Sequence, residues 1–223
     1  MSTKDSSAAF FRLEGTLSER STLAAAAYLA SNAQGVGERL ARLGNVALAA
    51  PLSLAGELAT GAAATRVTWM GVRGMSEDRL IVIAEEYYEK YLKDDVLEVG
   101  YELLDKARKQ GRRIVLISDN IDLVVAPLAE QLGADDLISN RLEIRKGKAT
   151  GRLEDPVIGG NVAGQWARGF AAEHGIDLNA SWAYGASAAD SLLMSAIGQP
   201  CAVNPDRQLR RLAKDHHWPV VEK

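Results

Sequence analysis

Cysteine is all but missing from this chain. The 223 residues hold one, Cys201, so an intrachain disulfide is excluded. With no leader sequence visible, a reducing cytoplasm is the expected compartment. Histidine is nearly as scarce: His174, His216 and His217 have no spacing that suits a zinc site, and no Ser-His-Asp motif can be built around them. The formal net charge is only −3, so neither a basic stripe nor nucleic-acid binding is expected. Long apolar runs are absent too. The stretch 46–64 is rich in Ala and Leu, but Pro51, Gly56, Glu57 and Gly61 interrupt it, which predicts a buried or interfacial helix rather than a membrane span.

What is present has a clear order. Residues 8–11 form a short apolar run that ends before Gly15, a buried first strand. From 18 to about 94 no strand is expected. Gly35, Gly37, Gly44, Pro51 and Gly61 divide Ala- and Leu-rich stretches into several helices. Ser76 is a good N-cap followed by Glu77 and Asp78, and Leu80, Ala84, Tyr87 and Tyr91 then repeat at helical spacing and should face a core. Trp69, Tyr87, Tyr88 and Tyr91 could line a groove, although packing accounts for most of them. Beyond residue 95, helices that stop at Gly111, Gly133 and Gly175 alternate with strands near 113–118, 137–138, 182–184, 201–203 and 219–221. The Ile114-Val115-Leu116-Ile117 run is apolar on both faces, and 142–152 reads as a hairpin around Lys146-Gly147, whose flanking lysines should be solvated. The expected architecture is α/β: a doubly wound, mostly parallel sheet from residues 1–17 and 95–223, with a helical cap inserted at 18–94 over the carboxyl edge of the strands.

Residues 10–17 carry most of the functional information: Phe10-Phe11-Arg12-Leu13-Glu14-Gly15-Thr16-Leu17. Further along stand Arg73-Gly74-Met75-Ser76, Gly111 to Ser118, Pro127 to Asp135, Thr150 to Glu154 and Ala202-Val203-Asn204-Pro205-Asp206. In this order and spacing the segments resemble the phosphoserine-phosphatase-like (HAD-IB) branch of the haloacid dehalogenase superfamily, over nearly the whole chain. The resemblance implies phosphoryl transfer through an aspartyl-phosphate, with Mg²⁺ neutralising the phosphate.

The same resemblance shows what has changed. The position of the nucleophilic Asp is Arg12, which stays protonated and cannot attack phosphorus. The acid/base position is Glu14, one methylene longer than Asp. Ser118 of the second motif is retained. The lysine position aligns with Ala163, and the fourth motif has lost its first acid at Ala186 while keeping the second as Asp190. No catalytic set is therefore intact, and no metal cofactor is expected, the ancestral Mg²⁺ site being lost. Arg12 is expected to pair with Asp190, Glu14 or Asp119, because a buried guanidinium without a partner is very costly. An alternative is an anion site formed by Arg12, Gly15, Thr16 and Ser118. Asp190 could cap its helix or ligate a metal, and Asp119 reads by default as a surface loop acid. Three functions follow in order: a pseudophosphatase serving as a binding, scaffold or regulatory protein with a protein partner, the homodimer included; a non-hydrolytic sensor of a small phosphorylated ligand; and a residual phosphomonoester hydrolase using Glu14 or Asp119.

Overall fold

A computed structural model describes residues 6–32, 44, 61–159 and 162–222. Most of the apolar 46–64 stretch, the breakers Gly35, Gly37 and Pro51, and Asn161 lie outside them. A six-stranded parallel sheet runs through the centre in the order β3-β2-β1-β6-β7-β8. Its strands are β1 (Ala8–Arg12), β2 (Arg113–Ile121), β3 (Asp136–Asn140), β6 (Trp182–Gly185), β7 (Gln199–Val203) and β8 (Val220–Val221). Strands β4 (Leu142–Arg145) and β5 (Lys148–Leu153) form a separate antiparallel hairpin.

Alternation along β1 and β2 explains why both faces are covered. Ala9, Phe11, Ile114 and Leu116 point into one apolar cluster; Ala8, Phe10, Val115 and Ile117 point into the other. Phe10 and Phe11 are fully buried, each contributing about 1.5–3 kcal/mol, and Phe11 stacks on Tyr184 with ring centroids 4.3 Å apart.

Between β1 and the sheet's second strand lie α1 (Thr22–Ser31), α2 (Gly61–Trp69) with a 3₁₀ turn at Met70–Val72, α3 (Glu77–Tyr87) and α4 (Glu98–Lys109). The chain enters and leaves the part of this block ahead of α4 at one place: Ser18 bridges Val96, the Leu97 N–H donates to the Leu17 carbonyl, and the Ser18 hydroxyl donates to Asp95 at 2.6 Å. A second attachment joins the segment before α3 to the hairpin, through Gly74 N–H to Ala149 O, Ala149 N–H to Met75 O and Glu77 N–H to Gly147 O. The remaining α-helices among the described residues are α5 (Asp122–Gln131), α6 (Ala163–His174), α7 (Ser191–Ser195) and α8 (Arg207–Asp215). No helix among the described residues is long and apolar enough to cross a membrane.

Two expectations about α3 need correction. Ser76 sits at the N-cap, but its side chain makes no capping bond; its backbone instead bridges to Lys148 of the hairpin. Leu80, Ala84 and Tyr87 are buried as predicted, whereas Tyr91 is 38% exposed. The helix widens into a π turn at Tyr88–Leu92, which shifts the phase and turns Leu92 inward in place of Tyr91.

Candidate functional site

Register alone gathers the motif residues. Arg12 closes β1 opposite Ile117, so Ser118 and Asp119 begin just past it on one side. Phe11 lies opposite Tyr184, which puts Gly185 and Ala186 on the other. This is the carboxyl edge of a parallel sheet, where such folds bind ligands. After β1 the chain turns sharply at Gly15, whose φ of +77° belongs to the left-handed region that glycine adopts without a steric penalty. A Cβ there would meet the Ala186 Cβ at 3.1 Å, so the turn rests directly on Ala186.

The Arg12 side chain is 4% exposed and ringed by carboxylates. Its Nη2 donates to Asp119 Oδ1 at 2.8 Å. Its Nε lies 2.8 Å from Asp190 Oδ1, an ion-pair contact whose N–H direction misses the oxygen, and Nη2 lies 3.8 Å from Glu14 Oε2. Burial works against the charge on Arg12, but the attraction of Asp119, then Asp190 and Glu14, outweighs it and raises the guanidinium pKa further. Three polar atoms here are buried without a hydrogen-bond partner, Arg12 Nε, Arg12 Nη1 and Thr16 Oγ1.

The Asp190 and Glu14 carboxylates are fixed by a second set of contacts. Asp190 Oδ2 accepts from the backbone N–H groups of Ala186 and Ser187, at 3.0 and 2.9 Å, and from the Ser187 hydroxyl, so it caps its helical turn and faces Arg12 at once. Glu14 accepts from the Ser118 hydroxyl, and the same hydroxyl accepts from Asn120 N–H. Burial pushes the Glu14 carboxyl above its usual range; Arg12 opposes this, Asp119 reinforces it, and the Ser118 bond opposes it.

Asp119 is not the surface loop acid expected. It lies in β2, where the pairing to β3 shifts between Ile117 and Ile121, and that irregularity turns its side chain onto Arg12. Asn140 holds the bend: its Nδ2 donates to the Asp119 and Ile158 carbonyls at 2.8 and 2.9 Å, while its Oδ1 accepts from Ile158 N–H. Asn140 had no signal in the sequence beyond being a polar residue at a strand end. The Gly15 N–H, offered for an anion, is already bonded to the Ser18 carbonyl, and the Leu17 and Ser18 N–H groups to Leu13. Ala163 stands apart from the charges, packed in the cluster of Phe10 and Val115. Among the described residues, no group of three or more His, Cys, Asp or Glu side chains is arranged to hold a metal ion. A cavity of about 560 Å³ opens on the outer side of the Gly15 turn, between Glu19, Leu97, Asn204 and Arg210.

The raised Glu14 pKa has a measurable consequence. The folded state binds this proton more tightly than the unfolded chain, so the contribution of Glu14 to stability is greatest below its unfolded pKa of ~4.3 and declines as pH rises through the folded value. Glu14→Gln removes that decline. The denaturation midpoint of Glu14→Gln is therefore expected to gain on the wild type from about pH 4 upward, and parallel curves from pH 4 to 8 would contradict it.

The sequence profile of the haloacid dehalogenase-like hydrolases matches residues 9–195. Among curated proteins, the chain is 32% identical over 151 residues to an inhibition of morphological differentiation protein of Streptomyces azureus, covering 67% of this chain and 54% of that protein. It is 28% identical over 159 residues to the phosphoserine phosphatase SerB1 of Mycobacterium tuberculosis, covering 71% and 52%. The chain thus spans about half the length of these relatives. Among solved structures, a Bordetella pertussis Tohama I protein of unknown function superposes with a TM-score of 0.81 at 24% identity, covering 96% of this chain and 97% of that one. A substrate-bound phosphoserine phosphatase superposes with a TM-score of 0.72 at 21% identity, covering 97% and 93%. Sheet order and profile agree, and the chain belongs to the haloacid dehalogenase-like hydrolases.

Proposed function

We propose that this chain is a non-hydrolytic member of its phosphatase family, a pseudophosphatase that acts by binding, with residues 18–94 serving as a cap over a closed centre. The observation that carries this reading is the Arg12 guanidinium, buried at the nucleophile position and held by Asp119 and Asp190. A guanidinium is not a nucleophile at any pH a protein survives. Magnesium needs hard oxygen ligands around an open centre. Here the carboxylates already face a cation and Ala186 offers no side-chain oxygen, so the residues present do not fit that ion. At an effective dielectric constant of 20, a second cation about 4 Å from Arg12 would meet roughly 4 kcal/mol of repulsion per unit charge.

The unpartnered Arg12 Nη1 and Thr16 Oγ1 speak for the second reading, a sensor of a phosphorylated ligand. Both atoms are closed to solvent, and three carboxylates stand around the one guanidinium, so an incoming phosphate meets net negative charge. This favours binding of a protein partner elsewhere on the surface over phosphate capture at Arg12. The test is turnover of phosphoserine and of an aryl phosphate with Mg²⁺ present. The expected result is no release of phosphate above a no-protein blank. Turnover that disappears in Glu14→Gln or Asp119→Asn would instead establish a rearranged hydrolase.

A further inference from the structure

Glu14, Asp119 and Asp190 come from three separate parts of the chain, yet their side chains converge on one planar cation. Asp119 Oδ1 and Asp190 Oδ1 both stand 2.8 Å from guanidinium nitrogens, on Nη2 and Nε respectively, and Glu14 Oε2 lies 3.8 Å from Nη2. The Asp190 and Glu14 carboxylates and the Asp119 backbone each have holding contacts besides Arg12. Asp190 is held by the Ala186 and Ser187 N–H groups, Glu14 by the Ser118 hydroxyl, and the Asp119 backbone by Asn140. Arg12, by contrast, donates one hydrogen bond, from Nη2 to Asp119, and touches Asp190 at Nε as an ion pair only; Nε and Nη1 are both buried without a hydrogen-bond partner. Preorganised acceptors around a cation attached through one flexible stem have the layout of a receptor with its ligand in place.

We infer that these carboxylates form a guanidinium receptor occupied in cis by Arg12, so that the chain carries as a side chain the cation its acidic centre requires. The inference rests on the reading of Arg12 as a fixed, non-catalytic cation, but its test does not involve turnover. The ligand class is a planar cation that donates an N–H to Asp119 while its charge sits against Asp190, an arrangement that suits a flat guanidinium better than a spherical ion. The receptor should therefore outlive the loss of its own side chain.

The experiment is chemical rescue of Arg12→Ala, read as thermal midpoint. The variant is expected to melt roughly ten degrees below the wild type, because buried carboxylates lose their counter-charge. Guanidinium chloride at low millimolar concentration, far below denaturing levels, is expected to raise its Tm by several degrees along a saturating curve. NaCl at matched ionic strength and urea at matched concentration should not, and the wild type should not respond to any of them. Adding Asp190→Asn to Arg12→Ala should abolish most of the guanidinium response. If Arg12→Ala does not fold, Arg12→Ala/Glu14→Gln removes the charge least engaged with Arg12 and carries the same titration. A guanidinium response no larger than that of NaCl overturns the inference, and so does a larger response to MgCl₂, which would make the cradle a divalent-ion site. Because each arm reads stability, the outcome is independent of whether the wild type proves to hydrolyse phosphate esters.

Discussion

Arg12→Asp, which on the proposed reading returns a carboxylate to the nucleophile position, is expected to unfold this protein rather than awaken it. Removing the guanidinium strands Asp119 and Asp190, and breaking a buried pair in this way costs about 3–5 kcal/mol. The substitution then adds a fourth carboxylate to a site already holding three. At an effective dielectric constant of 20, each like-charge contact near 4 Å adds roughly 4 kcal/mol. Together these terms reach the whole stability of an ordinary domain, about 5–15 kcal/mol. The expected measurement is the loss of a cooperative urea transition at pH 7, with partial recovery on acidification as the carboxylates take up protons. A midpoint close to that of the wild type would mean that the three acids are not held together as described. On that reading, a carboxylate at residue 12 alone removes the cation that neutralises Asp119 and Asp190.

Gly198→Ala is expected to be nearly as damaging, for a purely steric reason. A Cβ at residue 198 would overlap the Asn179 carbonyl oxygen and lie 2.7 Å from its carbonyl carbon and 2.8 Å from its Cα. These are backbone atoms, and they cannot swing aside. The Gly198 N–H is bonded to the Leu178 carbonyl and the Gln199 N–H to the Ser181 carbonyl, so the two segments are clamped at this crossing. Overpacking of a compliant site costs about 1–3 kcal/mol, and a clash with fixed backbone belongs at or above the top of that range. Gly111→Ala makes an instructive comparison. The space around Gly111 is open, and its penalty would come from its φ of +70° alone. Chemical denaturation should place Gly198→Ala well below Gly111→Ala, and equal midpoints would contradict the packing argument.

The sheet was legible because its strands are buried on both faces and leave unbroken apolar runs such as Ile114 to Ile117, while Gly111, Gly133 and Gly175 mark helix ends with positive φ. Arg12 and Glu14 stood out because neighbours such as Phe11, Gly15 and Thr16 still follow the family pattern. Asp119 and Asn140 did not, since their roles arise from a register shift between β2 and β3 and from contacts across the fold, neither of which leaves a local pattern. Tyr91 was misread for a related reason: helical spacing assumes a constant pitch, and the π turn at Tyr88–Leu92 breaks it. Gly198 gave no sign, because what it avoids is a segment some twenty residues earlier.

The pairing of Ser18 with Val96 bears on how such a chain can change over time. Because the two crossing points touch, anything spliced between them is a closed excursion from a scaffold whose ends are already met. Lengthening or shortening that excursion alters its closure entropy only logarithmically. Its contents can therefore be exchanged, grown or trimmed while the charge cluster at the strand ends is left in place.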